Sequence, residues 1–499
     1  MQSVIYVLGW IMTLEAAFML LPAATALIYR EPEGYAFLFT MGLCLLMGVA
    51  LTRSKPRHMR FYMREGFVAT ALGWIFMSLL GCLPFILTGE IPHPVDALFE
   101  TVSGFTTTGA SILPEVESMS HASMIWRCFT HWIGGMGVLV FLLAVLPMVG
   151  GSNMQLMKAE SPGPSVGKLV PRVRETATLL YRLYIVLTLI EVLALLLARM
   201  PLFDALCTAF GTAGTGGFGF KNDSFASHSA AVQWIVAVFM MLFGVNFNVY
   251  YLLFLRRFRE AERCEELRWY LLLIAGATAL IAYDLRGFGL GLHDLLRQSY
   301  FQVCTIMTTT GYATANFDTW PSLSRNILVL LMFVGACAGS TGGGLKVSRI
   351  AIALKSLGGY MASFLHPRSV HQVRFEDKDV DADTLRGIYV YFIGAFCIFV
   401  LSVLVLSLEE KDLVTTFTAV AATFNNIGPG LAAVGPMANY AHFGDLSKLV
   451  MIFDMLAGRL EVFPMLLLFY IPLWRETISD NGRRLRRRSM ARRQWETEK

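Results

Sequence analysis

Charge is what this sequence has least of. Of its 499 residues only 15% are Asp, Glu, Lys or Arg, 55% are hydrophobic, and the mean hydropathy is +0.56. A soluble domain carries about 25% charged residues. The deficit, sustained over the whole chain, excludes an ordinary soluble protein and points to a polytopic membrane protein.

Other absences narrow the choice. The eight cysteines (44, 82, 128, 207, 264, 304, 337 and 397) are far apart and form no C-x-x-C pair. That excludes a thiolate zinc site or a disulfide framework and leaves small buried apolar side chains. The first apolar stretch, residues 4–29, is preceded by no basic residue. It also exceeds a signal h-region of about 7–15 residues, so it reads as a retained span. No polar stretch is long enough for a soluble ATPase domain, which disfavours a primary pump. A phosphate cradle is excluded as well. Leu345 stands between the last glycine of the run at 335–344 and Lys346, and Val347 occupies the Ser/Thr place. The chain is expected not to be an enzyme, to carry no cofactor of its own and to bind no nucleic acid.

What is there is a succession of apolar runs. A helix needs about 20 apolar residues to cross the hydrocarbon core. Ten candidates occur: 4–28, 35–52, 66–88, 122–149, 178–199, 230–255, 268–284, 325–359, 385–407 and 446–474. Four shorter apolar segments, near 95–107, 203–214, 294–308 and 412–425, lie between them. At 1.5 Å per residue, about 12 residues reach only about 18 Å, so each reads as a half-helix that turns back within protein. Basic clusters follow the second span (Arg53, Lys55, Arg57, Arg60, Arg64), the fourth (Lys158, Lys168, Arg172, Arg174), the sixth (Arg256, Arg257, Arg259, Arg263) and the last. With ten spans all four clusters and both termini fall on one side, which the positive-inside rule makes cytoplasmic. The opposite connections carry Glu31, Glu33, Glu90, Glu115, Glu117, Asp223, Asp318, Glu409 and Glu410, which would concentrate cations at an outer mouth. The basic tail suits anionic membrane lipid or a cytosolic partner.

After two leading spans the order is span, half-helix, turn, span, four times over. Thr106-Thr107-Thr108-Gly109 returns as Thr308-Thr309-Thr310-Gly311. The turns align on Gly109, Gly217, Gly311 and Gly428, which lie 108, 94 and 117 residues apart. Two registers are open in the glycine run of the second turn; the 13-residue spacing from Asp204, matching Asp96 to Gly109, selects Gly217. Asp96, Asp204, Asp294 and Asp412 begin the half-helices, where an acid suits the dipole and caps free N–H groups; ion contact is the alternative. A half-helix aims its negative end into the membrane, and glycine permits the positive φ that turns a carbonyl inward. Four such turns can build an oxygen cage for a dehydrated cation.

Residues 335–344 place five glycines in ten residues in the middle of the eighth span and should break it. Irregular backbone at that depth must face protein or a water-filled path, which puts this loop under the cage. Arg459 lies within the last span, and an intramembrane charge suggests function by default. It is either a positive barrier beside the loop or a structural arginine bound to a loop carbonyl, a helix terminus or Glu461. The last is disfavoured because residues two apart on a helix do not face each other. His131 precedes Gly134, Gly135 and Gly137, which read as helix-packing residues, and His131 is not expected to relay protons.

These residues resemble the Trk-type bacterial potassium uptake subunits (TrkH, TrkG, TrkI) of the Trk/Ktr/HKT superfamily. The matching stretches are 101–111, 308–314, 338–346, 425–431 and 458–461, in family order. The resemblance implies an all-α polytopic fold of about ten transmembrane helices. Four pore repeats (61–155, 170–262, 265–366, 380–475) would have pseudo-fourfold symmetry around one pore, with a two-span extension at 1–60 and a cytoplasmic tail at 476–499. It implies potassium uptake across the bacterial inner membrane. The filter would comprise Thr107, Thr108, Gly109, Thr215, Gly216, Gly217, Thr309, Thr310, Gly311, Asn426, Ile427 and Gly428, with potassium as the only metal. The gate would comprise Gly339, Ser340, Thr341, Gly342, Gly343, Gly344 and Arg459. It further implies a homodimer and a cytosolic TrkA-type regulator that carries the nucleotide, NAD or ATP. A proton- or sodium-coupled symporter using the same pore is the alternative. Serine at the first filter position accompanies sodium permeation in the superfamily, so Gly109→Ser is expected to relax potassium-over-sodium selectivity. Competitive flux measurements check this, and equal selectivity in variant and parent would remove Gly109 from the filter.

Overall fold

The computed structural model describes residues 2–53, 63–137, 173–366, 368 and 372–470. Lys55, Arg57, Arg60, Lys158, Lys168, Arg172 and the tail 476–499 lie outside the described residues, as do the second half of the expected span 122–149 and the unit boundaries near 60 and 155.

The described chain is helical apart from a short antiparallel hairpin, β1 (Arg374–Phe375) with β2 (Lys378–Asp379). In order the helices are α1 (Gln2–Phe18), α2 (Leu20–Tyr29), α3 (Gly34–Thr52), α4 (Met63–Gly81), α5 (Leu83–Thr88), α6 (Pro94–Phe105), α7 (His121–Gly135), α8 (Val173–Leu197), α9 (Leu202–Ala213) and α10 (Ala230–Phe243). There follow α11 (Phe247–Phe254), α12 (Phe258–Glu262), α13 (Glu265–Asp284), α14 (Leu292–Met307), α15 (Ser322–Met332), α16 (Val347–Leu365), α17 (Ala382–Leu406), α18 (Leu413–Phe424), α19 (Asp445–Arg459) and α20 (Phe463–Phe469).

Six stretches among the described residues are long and apolar enough to cross a membrane: Gln2–Tyr29, Gly34–Thr52, Glu65–Thr88, Thr178–Leu197, Glu265–Phe288 and Ala382–Glu409. They coincide with six of the ten expected spans. The other four are not continuous helices. α10 and α11 meet at a 91° bend, and counting them as one span makes seven. α15 and α16 are separated by the glycine-rich loop, and α19 and α20 by Leu460–Val462, where Glu461 and Val462 have φ of 59° and 67°. α7 ends before Gly137, at φ 72°. The glycine run breaks the eighth span as its composition predicts, but interruption is common to these spans. At the other sites it comes from short breaks flanked by glycine, asparagine or proline: Gly134, Gly135 and Gly137 at the end of α7, Gly244 and Asn246 between α10 and α11, and Gly458 and Pro464 around the break after α19.

The four half-helices α6, α9, α14 and α18 stand where the short apolar segments predict them. Each packs on a helix that follows another of the four turns: α9 on α7, α14 on α10, α18 on α15, and α6 on α19. The last contact closes the circle and is fastened by Lys448 Nζ, which lies 2.5 Å from Asp96 Oδ1. Asp96 and Asp294 are thus partnered by bases, Arg297 in the case of Asp294 (2.8 Å). Of the four leading acids, Asp412 caps as expected, accepting from the Thr415 N–H at 3.0 Å. The other three sit inside the first turn and not at the cap.

The acids of the expected outer face have a second use. Glu31 accepts from the N–H groups of His121 (2.8 Å) and Ala122 (3.0 Å), capping α7, and Glu409 accepts from Gly444 at the start of α19. Partial burial works against the Glu31 charge, but those bonds and the His121 ring outweigh it and hold its carboxyl below the usual range.

The first half-helix is anchored by a buried ion pair. Glu100 of α6 is buried and accepts from Arg127 Nε of α7 (2.6 Å), Ser111 Oγ (2.9 Å) and the Ile112 N–H (2.9 Å). Arg127 also donates to Gly219 O (2.8 Å) and covers the Phe218 ring at 3.6 Å. Removing one partner of a buried pair leaves the other uncompensated, at about 3–5 kcal/mol. Glu100→Ala is therefore expected to lower the thermal unfolding midpoint of the detergent-purified protein markedly, with Glu100→Gln intermediate; scanning fluorimetry of the three proteins checks it.

Candidate functional site

The turns after α6, α9, α14 and α18 repeat one hydrogen-bond scheme. The N–H groups of Thr108, Gly216, Thr310 and Ile427 each donate to the carbonyl five residues back, at 2.8, 2.8, 2.8 and 2.9 Å. The residue before each takes a left-handed conformation: Thr107 (φ 55°), Thr215 (54°), Thr309 (62°) and Asn426 (56°). The residue after is again left-handed: Gly109 (79°), Gly217 (79°), Gly311 (90°) and Gly428 (93°). This alternation aligns Gly217, and not a neighbour, with the other three. A left-handed residue closing a helix is ordinarily glycine. Threonine there is strained by about 1–3 kcal/mol and persists only where its surroundings over-determine it.

Those surroundings explain the repeated tetrapeptide. Thr106 and Thr108 join hydroxyls at 2.8 Å, and Thr308 and Thr310 at 2.7 Å. Thr106 and Thr308 bond back to the carbonyls of Val102 (2.6 Å) and Cys304 (2.7 Å). In the fourth turn Asn426 Nδ2 donates to Thr108 Oγ1 and to Met455 O, both at 2.9 Å, tying the fourth turn to the first.

The turns meet in a ring. A Cβ on Gly109 would overlap Gly216 O, one on Gly217 would overlap Thr310 O, and one on Gly311 would overlap Ile427 O. On Gly428 it would stand 2.8 Å from Thr108 O. Each glycine therefore lies against the carbonyl of the residue preceding the next unit's glycine, and no side chain fits between them. All four glycines also line a cavity of about 150 Å³, walled by the returning arms of the turns, among them Ser111, Ser224 and Tyr440.

Below the ring lies the broken third-unit span. Gly343 N donates to Thr309 Oγ1 (2.7 Å), so the loop hangs from the third turn. Gly339 O accepts from Phe247 N (3.1 Å), Ser340 Oγ donates to Cys337 O (2.6 Å), and Lys346 Nζ donates to the carbonyls of Gly342 and Gly343. Gly339, Ser340, Gly342, Gly343, Gly344 and Arg459 line a second cavity of about 80 Å³. Arg459 donates to Thr341 O (2.8 Å) and to Gly134 O and Gly135 O at the end of α7. It thus stands beside the loop and also makes both structural contacts that were its alternative. Glu461 accepts from Arg349 (2.5 Å). The helical spacing used to separate Arg459 from Glu461 does not apply, because α19 ends at Arg459.

His131 is a site residue that sequence reasoning left aside. It is buried between the first and second turns, with Nδ1 2.8 Å from Gly104 O and Nε2 3.2 Å from Phe218 N. A carbonyl needs a donor and an N–H needs an acceptor, so the neutral Nδ1–H tautomer is fixed. The only available signal was its place ahead of Gly134 and Gly135, which do pack closely, against Phe105 O and Gly214.

A family described as TrkH, cation transport protein, matches residues 35–285 and 290–480. The chain belongs to this family. The TrkH potassium uptake protein of Salmonella typhimurium is 35% identical over 486 residues, covering 95% of this chain and 99% of that protein. TrkG of Escherichia coli is 32% identical over 480 residues, with 95% and 99% covered. The crystal structure of the potassium transporter TrkH from Vibrio parahaemolyticus superposes with a TM-score of 0.85 at 31% identity, over 95% of this chain and 99% of that one.

In this TrkH-family chain, His131→Ala would leave the Phe218 N–H buried and unpaired, at about 1–3 kcal/mol, while the Gly104 carbonyl keeps the Thr107 N–H. The expected result is a lower unfolding midpoint together with poorer discrimination between rubidium and sodium in reconstituted flux. A variant equal to the parent in both would show that the bridge does not hold the second turn.

Proposed function

We propose that this chain is the potassium-translocating subunit of a Trk-type uptake system in the bacterial inner membrane. The observation that carries the proposal is the closed ring of four equivalent turns, each at the negative end of a buried half-helix. Family membership and the near full-length relatives named as potassium uptake proteins support the same reading. Potassium is the cargo. Entering from the 150 Å³ cavity, it would exchange water for the carbonyls of Thr107, Thr108, Gly216, Thr309, Thr310, Asn426 and Ile427 and of the four ring glycines. The turns would impose little reorganisation, because their hydrogen bonds already hold the strained φ values.

In this reading the chain crosses the membrane ten times, as a two-span extension followed by four pore units in pseudo-fourfold order, with both termini cytoplasmic. The cyclic packing of half-helices on preceding spans supports that order. The loop 335–344 is the gate, and Arg459 holds it shut while placing a positive charge beside the path. A homodimer, anionic lipid and a cytosolic TrkA-type regulator carrying NAD or ATP complete the proposed assembly.

Rubidium-86 influx into liposomes containing the purified chain tests the function, with and without an imposed proton gradient. Saturable, potassium-competed influx that ignores the gradient is expected, and dependence on it would make the protein a proton symporter. Arg459→Ala is expected to raise the influx rate several-fold at unchanged protein content. Unchanged influx in a well-inserted variant would remove Arg459 from the gate.

A further inference from the structure

Glu266 lies in the first turn of α13 and is 2% exposed. Nothing in its sequence context marks it, since it follows Glu265 at the foot of an apolar span. Its carboxylate nevertheless makes contacts that no other described acid makes. Oε1 accepts from the N–H of Ala338 at 2.7 Å and from the N–H of Ser348 at 3.2 Å. Oε2 receives Asn246 Nδ2 at 3.5 Å. Ala338 stands immediately before the glycine–serine–threonine stretch of the intramembrane loop, and Ser348 is the second residue of α16, immediately beyond it. One oxygen therefore joins the two ends of the loop. Asn246 sits in the break between α10 and α11, where it caps α11 through Asn248 N (3.0 Å) and lies against Gly339.

Ala338 and Ser348 have no helical partner for these N–H groups. The Ala338 N–H is in irregular backbone, and Ser348 opens a helix whose first N–H groups are free by geometry. A buried carboxylate that accepts backbone N–H groups makes hydrogen bonds about twice as strong as neutral ones. The neighbouring Glu265 pairs with Lys355 on the same α16, two turns further along. The first turn of α13 thus grips α16 at two heights, and the grip nearer the pore also holds the loop.

We infer that Glu266 is a positioning residue for the gate: its carboxylate clasps both ends of the 338–348 loop and keeps it closed beneath the third and fourth turns. The inference rests on the reading of this loop as the gate of a potassium path. It adds that closure is held from outside the pore, by a side chain that touches neither the ion nor the filter. Opening then requires α16 to separate from the foot of α13.

The test compares the parent with Glu266→Ala, Glu266→Gln and Glu266→Asp in liposomes. The alanine variant removes the clasp. Glutamine keeps one oxygen at the same reach. Aspartate keeps the charge but is shorter by one methylene, too short to reach both N–H groups, and it carries the expectation if alanine does not fold. Alanine or aspartate is expected to raise the maximal rubidium-86 influx on the order of tenfold, the effect of losing two charge-assisted bonds that favour one state. The half-saturating rubidium concentration and the rubidium-to-sodium ratio should stay as in the parent, because the ring is untouched, and glutamine, which keeps an acceptor but loses the charge, should fall between the parent and alanine. A second readout does not need flux: a cysteine introduced by Ser340→Cys should react faster with a membrane-impermeant thiosulfonate when Glu266 is alanine or aspartate. Equal labelling and influx in all forms would overturn the inference, as would reduced influx in folded Glu266→Ala or a glutamine variant indistinguishable from alanine. A parent that conducts no rubidium, with labelling still accelerated by Glu266→Ala, would instead sink the transport reading and leave the clasp standing.

Discussion

Backbone polarity inside a membrane is the constraint on which the rest of this structure depends. Four turns and several broken helices place unpaired N–H and C=O groups where no bulk water reaches, and each must find a partner or face a path. The 6→1 bond at the end of every half-helix closes one N–H and exposes the carbonyls around it. The same economy recurs below the ring, where Thr309, Glu266, Arg459 and Lys346 satisfy the loop group by group. A side chain that leaves this network strands a backbone group and not merely a contact.

That constraint accounts for the buried charges of a chain otherwise poor in charge. Glu100 with Arg127 holds the first half-helix against the outer arm of its turn. Lys448 with Asp96 closes the circle of units, and Arg349 with Glu461 holds α16 near the break before α20. In the proposed function these pairs let the ring stay rigid while the span beneath it moves. Selection would then live in the turns and gating in the breaks, and Thr308, Thr309 and the tightly packed Asn425–Asn426 connect them directly.

Much of the fold was legible because it follows from length and hydropathy. Six long spans and four half-helices stand close to where the apolar runs place them. The glycines of the ring could be read because a left-handed residue pressed against a carbonyl tolerates no Cβ, and the repeated threonine tetrapeptide marked two of the four turns. The breaks were much less legible. Gly335 to Gly344 announced one by their number, but Gly244 with Asn246 and Gly458 with Pro464 are ordinary residues of membrane helices, and neither pair foretells a bend of 91° at the first site. Asp96 and Asp294 looked like caps and prove to be ion-pair partners, since a base such as Lys448, 352 residues away, leaves no mark near Asp96.

The sequence by itself determined that this is a membrane protein with four glycine-centred turns, each after a short helix, and it named the residues of those turns and of the loop. These properties depend on composition, period and the φ demands of single residues, all of which are local. Only the tertiary structure decided what holds them: that His131 bridges the first and second turns, that Arg459 binds both the loop and the end of α7, and that Glu266 joins the loop's two ends. Each of these is a hydrogen bond between segments far apart in the chain. Its donor or acceptor is a backbone group, which every residue carries, so a side-chain pattern can suggest the kind of contact, as for Arg459, but not which backbone group makes it.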